Sequence, residues 1–524
     1  MVIFSEFDIN TEMLESTLPS IAGIGIMTAG RHALLQRSLD SYVAQTMARR
    51  PGLEYIVFDD SKDGGGRRAS FEVARSAQQR FGACIRFAGF DERSQYLVRL
   101  QECSGAPMEV LRYALLEPAG YTLGQNRNAL LLDTVGSLYF SADDDTVCAP
   151  VLPPEPTEQY LAVCVDSDPS EYWCFTDFVD SRTRARFVNI DFLAAHEQLL
   201  GRRVQQLDPS VIEGNPLHRP QTFDLGRRLT SPHSQVKITM NGLLGDCAWG
   251  APFGLWHQAM GYLAFCDSSL DRLTASEEHY RESTLSRQML RTATVPVLSD
   301  LSFSMLTFWG FDNRQLLPPN LPSHRGQDLI FGQTLWRCFE TAVAGHIPLA
   351  LVHDPDPPRR FWPGEMQRSA VGIDLCRLVI EAIKLCQWNE AATTPQRRLQ
   401  ILGEHLNQLA ELPTAVLAES VKERLHESNR LLEHRLGARA RALTERAPYY
   451  ANDVNRYLAG LREAQNREHY WLPLDLFLPG GAAQAEKRVR HILLKFGVLL
   501  GYWPVIVEAA KLLRQDGVRL SSVV

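Results

Sequence analysis

Short apolar runs alternate with helical periodicity through the first third of the chain. Ile21 to Met27 is apolar and punctuated by glycine, the pattern of a buried strand. After Thr28-Ala-Gly-Arg-His, residues Leu34, Leu35, Leu39 and Tyr42 keep the spacing of one helix face. Leu53 to Phe58 is a second strand pattern, broken by Asp59-Asp60-Ser61 and then by Gly64-Gly65-Gly66, which read as a loop. Cys84 to Phe87 gives a third strand, Gly124 to Leu132 opens a helix, and Ser137 to Ser141 is a strand that delivers Asp143-Asp144-Asp145. Repeated strand, loop and helix units predict a mixed, mostly parallel sheet flanked by helices, an α/β architecture. Ligands of such sheets bind beyond the carboxyl ends of the strands. Thr28, Asp59, Asp60 and Asp143 to Asp145 are therefore expected along one rim.

Further on the signals thin out. The chain is Pro-rich from Pro150 to Pro156 and apolar again at Tyr172 to Phe178, whereas Gly201 to Gln235 reads as an inserted loop. Met240 to Pro252 packs glycines round Asp246 and Trp249, which predicts a tight turn with Trp249 either at a ligand or in the core. Leu329, Ile330, Leu335 and Phe339 predict a helix with Asp328 at its mouth, and Ile347 to His353 is an apolar strand ending in histidine before a Pro-rich loop. After Gln367 strand signals nearly vanish. Ala370 to Trp388, Gln396 to Leu412, Ala415 to Arg446 and Lys487 to Leu513 carry helical periodicity, with an irregular connector at Trp471 to Gly481. This divides the chain into an extension (1–20), an α/β domain (21–367, with halves 21–150 and 151–367) and an all-α C-terminal domain (368–524).

Composition narrows the partners. A chain of 524 residues exceeds what one growing core holds, and 45% hydrophobic with 22% charged residues is ordinary for a soluble globular protein. A net charge of -7 gives no global attraction to nucleic acid. The acidic start, with Glu6, Asp8, Glu12 and Glu15, is unlike a secretory signal. The most apolar stretch, Phe496 to Val507, falls short of the roughly 20 residues of a membrane span and reads as a buried helix kinked at Pro504. The 10 cysteines include no C-x-x-C pair, so a reducing cytoplasm is expected.

The acidic triplet carries the chemistry. Three adjacent carboxylates closing a buried strand repel one another unless a cation sits among them, and ligands that are all oxygen suit Mg²⁺ or Mn²⁺ shared with substrate phosphates. A calcium hand is a poorer match, because Asp143 to Cys148 lacks the required glycine. An aspartate at a helix mouth, as at Asp328, stays ionised in the field of the helix N-terminus.

Four landmarks in order resemble those of family 2-type glycosyltransferases with the GT-A (Rossmann-like) fold. They are Thr28 with Arg31, Val57 to Asp63, Gly124-Gln-Asn-Arg-Asn128, and Ala142-Asp143-Asp144-Asp145. The resemblance covers the first 150 residues best and does not reach the helical domain, whose expected tasks are holding a homodimer together or presenting the acceptor. It implies that Thr28, Arg31, Asp59 and Asp60 surround the donor nucleotide, with Asp59 or Asp60 accepting from a uracil imide. Arg127 is implied near the base or diphosphate, Asp144 near the ribose, and Asp143 and Asp145 at the metal. Asp328 resembles the family's acceptor-side base, although Gln327 stands where a Glu is common. His353 resembles a third metal ligand, and an imidazole there favours Mn²⁺ over Mg²⁺. Asp246 and Trp249 are second-rank acceptor contacts, and Arg359 and Arg360 lie where they could approach the diphosphate. The implied activity is an inverting, metal-dependent transfer of a hexosyl or N-acetylhexosaminyl group from a nucleotide sugar, most simply a UDP-sugar. The acceptor, whether peptide, saccharide, modified base or small molecule, is not legible. Two other readings stay open: a sugar-nucleotide pyrophosphorylase, which shares the topology, and a non-catalytic scaffold built on the helices.

Overall fold

The computed structural model describes residues 19–117, 121–154, 160–165, 168–207, 223–249, 261–301, 304–305, 307–365, 369–477 and 480–524. Most of the expected N-terminal extension, and the centre of the expected 201–235 loop, lie outside these residues.

Strands β1 (Ile21–Thr28), β2 (Glu54–Asp59), β3 (Cys84–Ala88) and β4 (Leu138–Asp143) run parallel in the spatial order β3-β2-β1-β4. β1, β2 and β4 are largely buried apolar runs closed by Thr28, Asp59 and Asp143, as burial on both faces requires, whereas β3 carries the exposed Cys84 and the half-buried Arg86. Next in sequence come β5 (Thr146–Leu152), β6 (Ala162–Cys164), β7 (Glu171–Cys174), β8 (Arg186–Phe187), β9 (Gln235–Asp246), β10 (Gln288–Thr292), β11 (Val297–Ser299), β12 (Phe308–Asp312), β13 (Ala342–His353) and β14 (Ser522–Val523). All join one 14-stranded mixed sheet.

One topological detail positions the site. β12 lies antiparallel between β4 and β9, so β9 points the same way as β4, and β13 runs parallel to β9. β1, β2, β4, β9 and β13 thus share a direction with β3, and these five end on Thr28, Asp59, Asp143, Asp246 and His353.

Helices cover both faces of the sheet. One core joins Met27, Phe58, Leu130 and Trp309 to the helices Phe90–Ser104, Met108–Leu116 and Leu123–Asp133, and the other joins Ile24, Ile26 and Phe140 to the helices His32–Thr46 and Gly64–Phe81. The C-terminal helices Leu375–Leu385, Pro395–Glu411, Thr414–Leu443, Pro448–Gln465 and Gly481–Gln515 are the expected all-α region. They enter both cores: Phe496 and Trp503 lie with Leu130 and Trp309, while Leu432, Tyr450 and Val454 lie with Ile24 and Phe140. The Trp503 indole donates to the Leu317 carbonyl (2.7 Å), and β14 pairs antiparallel with β3 at the sheet edge. Among the described residues, Gly481–Gln515 is the one helix long and apolar enough to cross a membrane, and just over half of its apolar window is buried inside the protein.

Three expectations are corrected and one helix is added. Gly64-Gly65-Gly66 is the first turn of a helix, because the Asp63 carboxylate accepts from the Gly66 amide (2.8 Å) and caps it. Met240 to Asp246 is no turn but the second half of β9, which is buried from Val236 onward, and its glycines serve close packing. A Cβ on Gly242 would lie 2.0 Å from the Arg291 carbonyl, and Gly245, at φ +118°, would meet the His353 carbonyl at 2.3 Å. The 201–235 stretch contains a helix, Phe223–Thr230, whose Arg228 is buried and donates to three backbone carbonyls. Pro448–Gln465 is a helix that went unread, although Tyr450, Val454, Tyr457 and Leu461 keep its spacing.

Candidate active site at the carboxyl rim of the sheet

The tight turn between β4 and β5 holds the three aspartates, and Arg31 is shared by two of them. Asp143 Oδ1 accepts from Arg127 Nη2 (3.3 Å), brought by the helix Leu123–Asp133. Asp144 is fully buried and accepts from the Thr28 hydroxyl (2.6 Å) and from Arg31 Nε (3.1 Å), both at the end of β1. Asp145 accepts from Arg31 Nη1 (2.9 Å) and faces His353 Nε2 at 3.6 Å. The turn is fixed by its backbone, since the Asp144 amide donates to the Met27 carbonyl (3.0 Å) and the Asp354 amide to the Asp145 carbonyl (2.8 Å).

These surroundings split the three acids. Burial pushes Asp143 up to about 6 and Asp144 up to about 7, against the pull of Arg127 and Arg31. Burial acts on Asp145 too, but His353 and Arg31 outweigh it and hold that carboxyl well below its ordinary range. Burial disfavours the His353 imidazolium, yet Asp145 and Asp246 outweigh it and raise its pKa.

The fit to a divalent ion is partial. His353 Nδ1 lies 2.6 Å from the Asp246 carbonyl, which can only accept, so Nδ1 carries the proton and Nε2 is directed at Asp145. A carbonyl behind a histidine in this way is the usual support of a metal-binding imidazole. Asp145 Oδ1 is buried without a hydrogen-bond donor. Asp145 and His353 therefore offer two donors across a gap. Asp143 does not complete the set with its carboxylate turned to Arg127, and among the described residues no three His, Cys, Asp or Glu side chains are grouped to hold a metal. Two protein donors suit a hard ion that takes its other ligands from water and phosphate.

At the end of β2, Asp59 Oδ1 accepts from the Ser61 amide and hydroxyl and from Ser70, while its buried Oδ2 has no hydrogen-bond donor among the described residues. Burial raises its pKa. Asp60 takes the Lys62 ammonium (3.0 Å) and the Thr122 hydroxyl. Buried Arg93 reaches the Asp59 carbonyl (3.2 Å) and the Asn126 side chain, and Asn126 donates to the Thr28 carbonyl (2.9 Å), so the ends of β1 and β2 are locked together.

The expected acceptor contacts lie elsewhere. Asp246, 1% exposed, is gripped by Arg287 (2.9 and 3.2 Å) and Arg359 (3.0 and 2.6 Å). Trp249 is buried against Tyr172, Phe265 and Phe361. Both are interior residues, so neither is presented to a substrate; Arg359 is spent on Asp246, and Arg360 is exposed and bridges to Ser286 through its backbone. Asp328 rides the first turn of the helix Gln327–Cys338, its carbonyl accepting from the Ser304 hydroxyl (2.8 Å).

Three residues at this rim went unread in the sequence: Arg287, the buried partner of Asp246, and the pair Tyr121 and Arg325, whose guanidinium lies 5.0 Å from the tyrosine ring centre. Arg325 lies three residues before Asp328, and that neighbourhood is the signal the sequence offers for it. No family model matches this chain, and no curated protein matches it.

Proposed function

We propose that the protein is an inverting glycosyltransferase of GT-A type that uses a divalent ion and a nucleotide-diphosphate sugar. The observation that carries this reading is the convergence of five strand ends on one rim, where Asp145 and His353 offer an ion two donors beside Asp59, a buried carboxylate with one unpaired oxygen. In this reading the Asp59–Asp60 pair, of which Asp60 is the less buried, accepts from the imide N–H of a uracil or related base. Thr28 and Arg31 are oriented by Asp144, which acts as a positioning residue and not as a ribose contact because it is fully buried. Asp145 and His353 hold Mn²⁺ or Mg²⁺, which when bound neutralises the charge that grows on the departing diphosphate. Asp328 takes the proton of the attacking acceptor group. The new bond forms at the anomeric carbon on the face opposite the nucleotide, and the pair of electrons in the broken bond leaves on the β-phosphate oxygen.

The pyrophosphorylase reading fits less well. It needs a free basic phosphate loop after β1, and Arg31, the basic residue there, is engaged by Asp144 and Asp145. A scaffold would bind no nucleotide. Calorimetry with UDP, GDP and dTDP, with and without Mn²⁺, separates the readings. One nucleotide is expected to bind with Mn²⁺-dependent affinity, and Asp145→Asn to lose that dependence. Affinity indifferent to the metal in the wild type refutes the ion's role.

A further inference from the structure

Four arginines at the rim are already committed to carboxylates: Arg31 to Asp144 and Asp145, Arg127 to Asp143, and Arg287 and Arg359 to Asp246. Arg325 is different. It is exposed, and no ion pair or hydrogen bond joins its side chain to any described residue; its partner is the face of Tyr121, itself 44% exposed. Five N–H donors are thus held in place and unspent.

The placement is fixed from both sides. The His324 amide donates to the Tyr121 carbonyl (2.7 Å), and Asn128 and Asn320 exchange two hydrogen bonds (2.8 and 3.1 Å). Gly124 lets the two segments touch, since a Cβ there would lie 1.9 Å from the Leu321 carbonyl. Beside Tyr121, the Thr122 hydroxyl donates to Asp60 and accepts from Lys62 (2.7 Å), at the end of β2. The Tyr121 hydroxyl lies in the combined field of Arg325, Asp143, Arg127 and Arg31. Arg325 is thus tied through Tyr121 and the adjacent Thr122 to the Asp60 corner, and it precedes Asp328 by three residues in the chain.

We infer that Arg325, braced on Tyr121, is the side chain that binds the terminal phosphate of the nucleoside diphosphate, and holds it as the sugar bond breaks. This rests on the glycosyltransferase reading. A rim with this many carboxylates repels a diphosphate, and a planar guanidinium with free donors binds phosphate oxygens in bidentate fashion. Its pull strengthens as the bond to the anomeric carbon breaks and the phosphate oxygen takes the electron pair.

The test compares nucleoside diphosphate with nucleoside monophosphate binding, by calorimetry on the full chain with Mn²⁺. Arg325→Ala is expected to weaken the diphosphate roughly 10- to 100-fold and leave the monophosphate unchanged. Arg325→Lys keeps the charge and loses the fork, so it should fall between. Tyr121→Phe keeps the brace and should match the wild type, whereas Tyr121→Ala should weaken the diphosphate selectively. A merely structural Arg325 would treat both ligands alike, and equal losses, or none, overturn the inference while leaving the enzyme reading intact. A wild type that binds no nucleotide overturns both.

Discussion

Replacing Asp246 by asparagine asks whether this carboxylate is a structural hub or a substrate contact. Asp246 and Arg287 are 1% and 5% exposed and share two hydrogen bonds, so removing one charge strands the other where water cannot reach it. Breaking a buried pair in this way costs about 3–5 kcal/mol. The second bond partner, Arg359, is 41% exposed, and water already screens its attraction. Its loss should cost no more than about 1 kcal/mol. The expected ranking is therefore Asp246→Asn and Arg287→Met together at the top, with Arg359→Met well below. Urea unfolding followed by tryptophan fluorescence measures it, Trp249 lying beside the pair with its carbonyl accepting from Arg287. The double variant should cost less than the sum of the two singles, because it leaves no orphaned charge. His353 should keep its tautomer throughout, since its partner is the Asp246 carbonyl and not the side chain. An Asp246→Asn variant as stable as the wild type, with lost turnover, would refute the hub and restore the substrate contact.

Two further predictions concern other carboxylates. Asp328→Asn should lower turnover roughly 10² to 10⁴-fold while nucleotide affinity stays level, as the loss of a general base requires; unchanged steady-state turnover removes Asp328 from the mechanism. Asp374 caps the helix Leu375–Leu385 and is driven by burial from 3.8 to about 7. A carboxyl raised in the folded state binds its proton more tightly there, so its contribution is fully present below 3.8 and is lost as pH rises to about 7. Asp374→Asn keeps the acceptor for the Arg377 amide and has no charge to bury. Its stability relative to the wild type should climb by about 3 kcal/mol from pH 5 to pH 8, and a gap independent of pH in urea unfolding would refute this.

Much of the rim was legible because parallel strands buried on both faces are unbroken apolar runs, and the polar residue that stops each run is the one that reaches the rim. Thr28, Asp59, Asp143 and His353 were found that way. β9 was not, because Gly242 and Gly245, read locally, signal a turn, whereas in the sheet they let β10 and β13 come close. Its end residue, Asp246, therefore reads locally as a loop residue. Arg287, Tyr121 and Arg325 were invisible for another reason: nothing in their local pattern says which distant carboxylate or ring they will meet.

The acidic triplet shows where adjacency misleads. Three neighbouring carboxylates suggest one negative site that needs one cation, but the turn spreads them over two arginines, a threonine and a histidine. Arg127 meets Asp143, Thr28 and Arg31 meet Asp144, and Arg31 with His353 meets Asp145. Arg31 and Arg127 already offset part of the repulsion among the three carboxylates. What still argues for an ion is narrower and more local: a buried Asp145 oxygen without a donor, opposite an imidazole nitrogen whose ring is oriented from behind by a carbonyl. If an ion binds there, it competes with the proton that otherwise joins His353 to Asp145. The site then has one arrangement charged by protonated histidine and another charged by metal, and the second alone keeps coordination sites for phosphate.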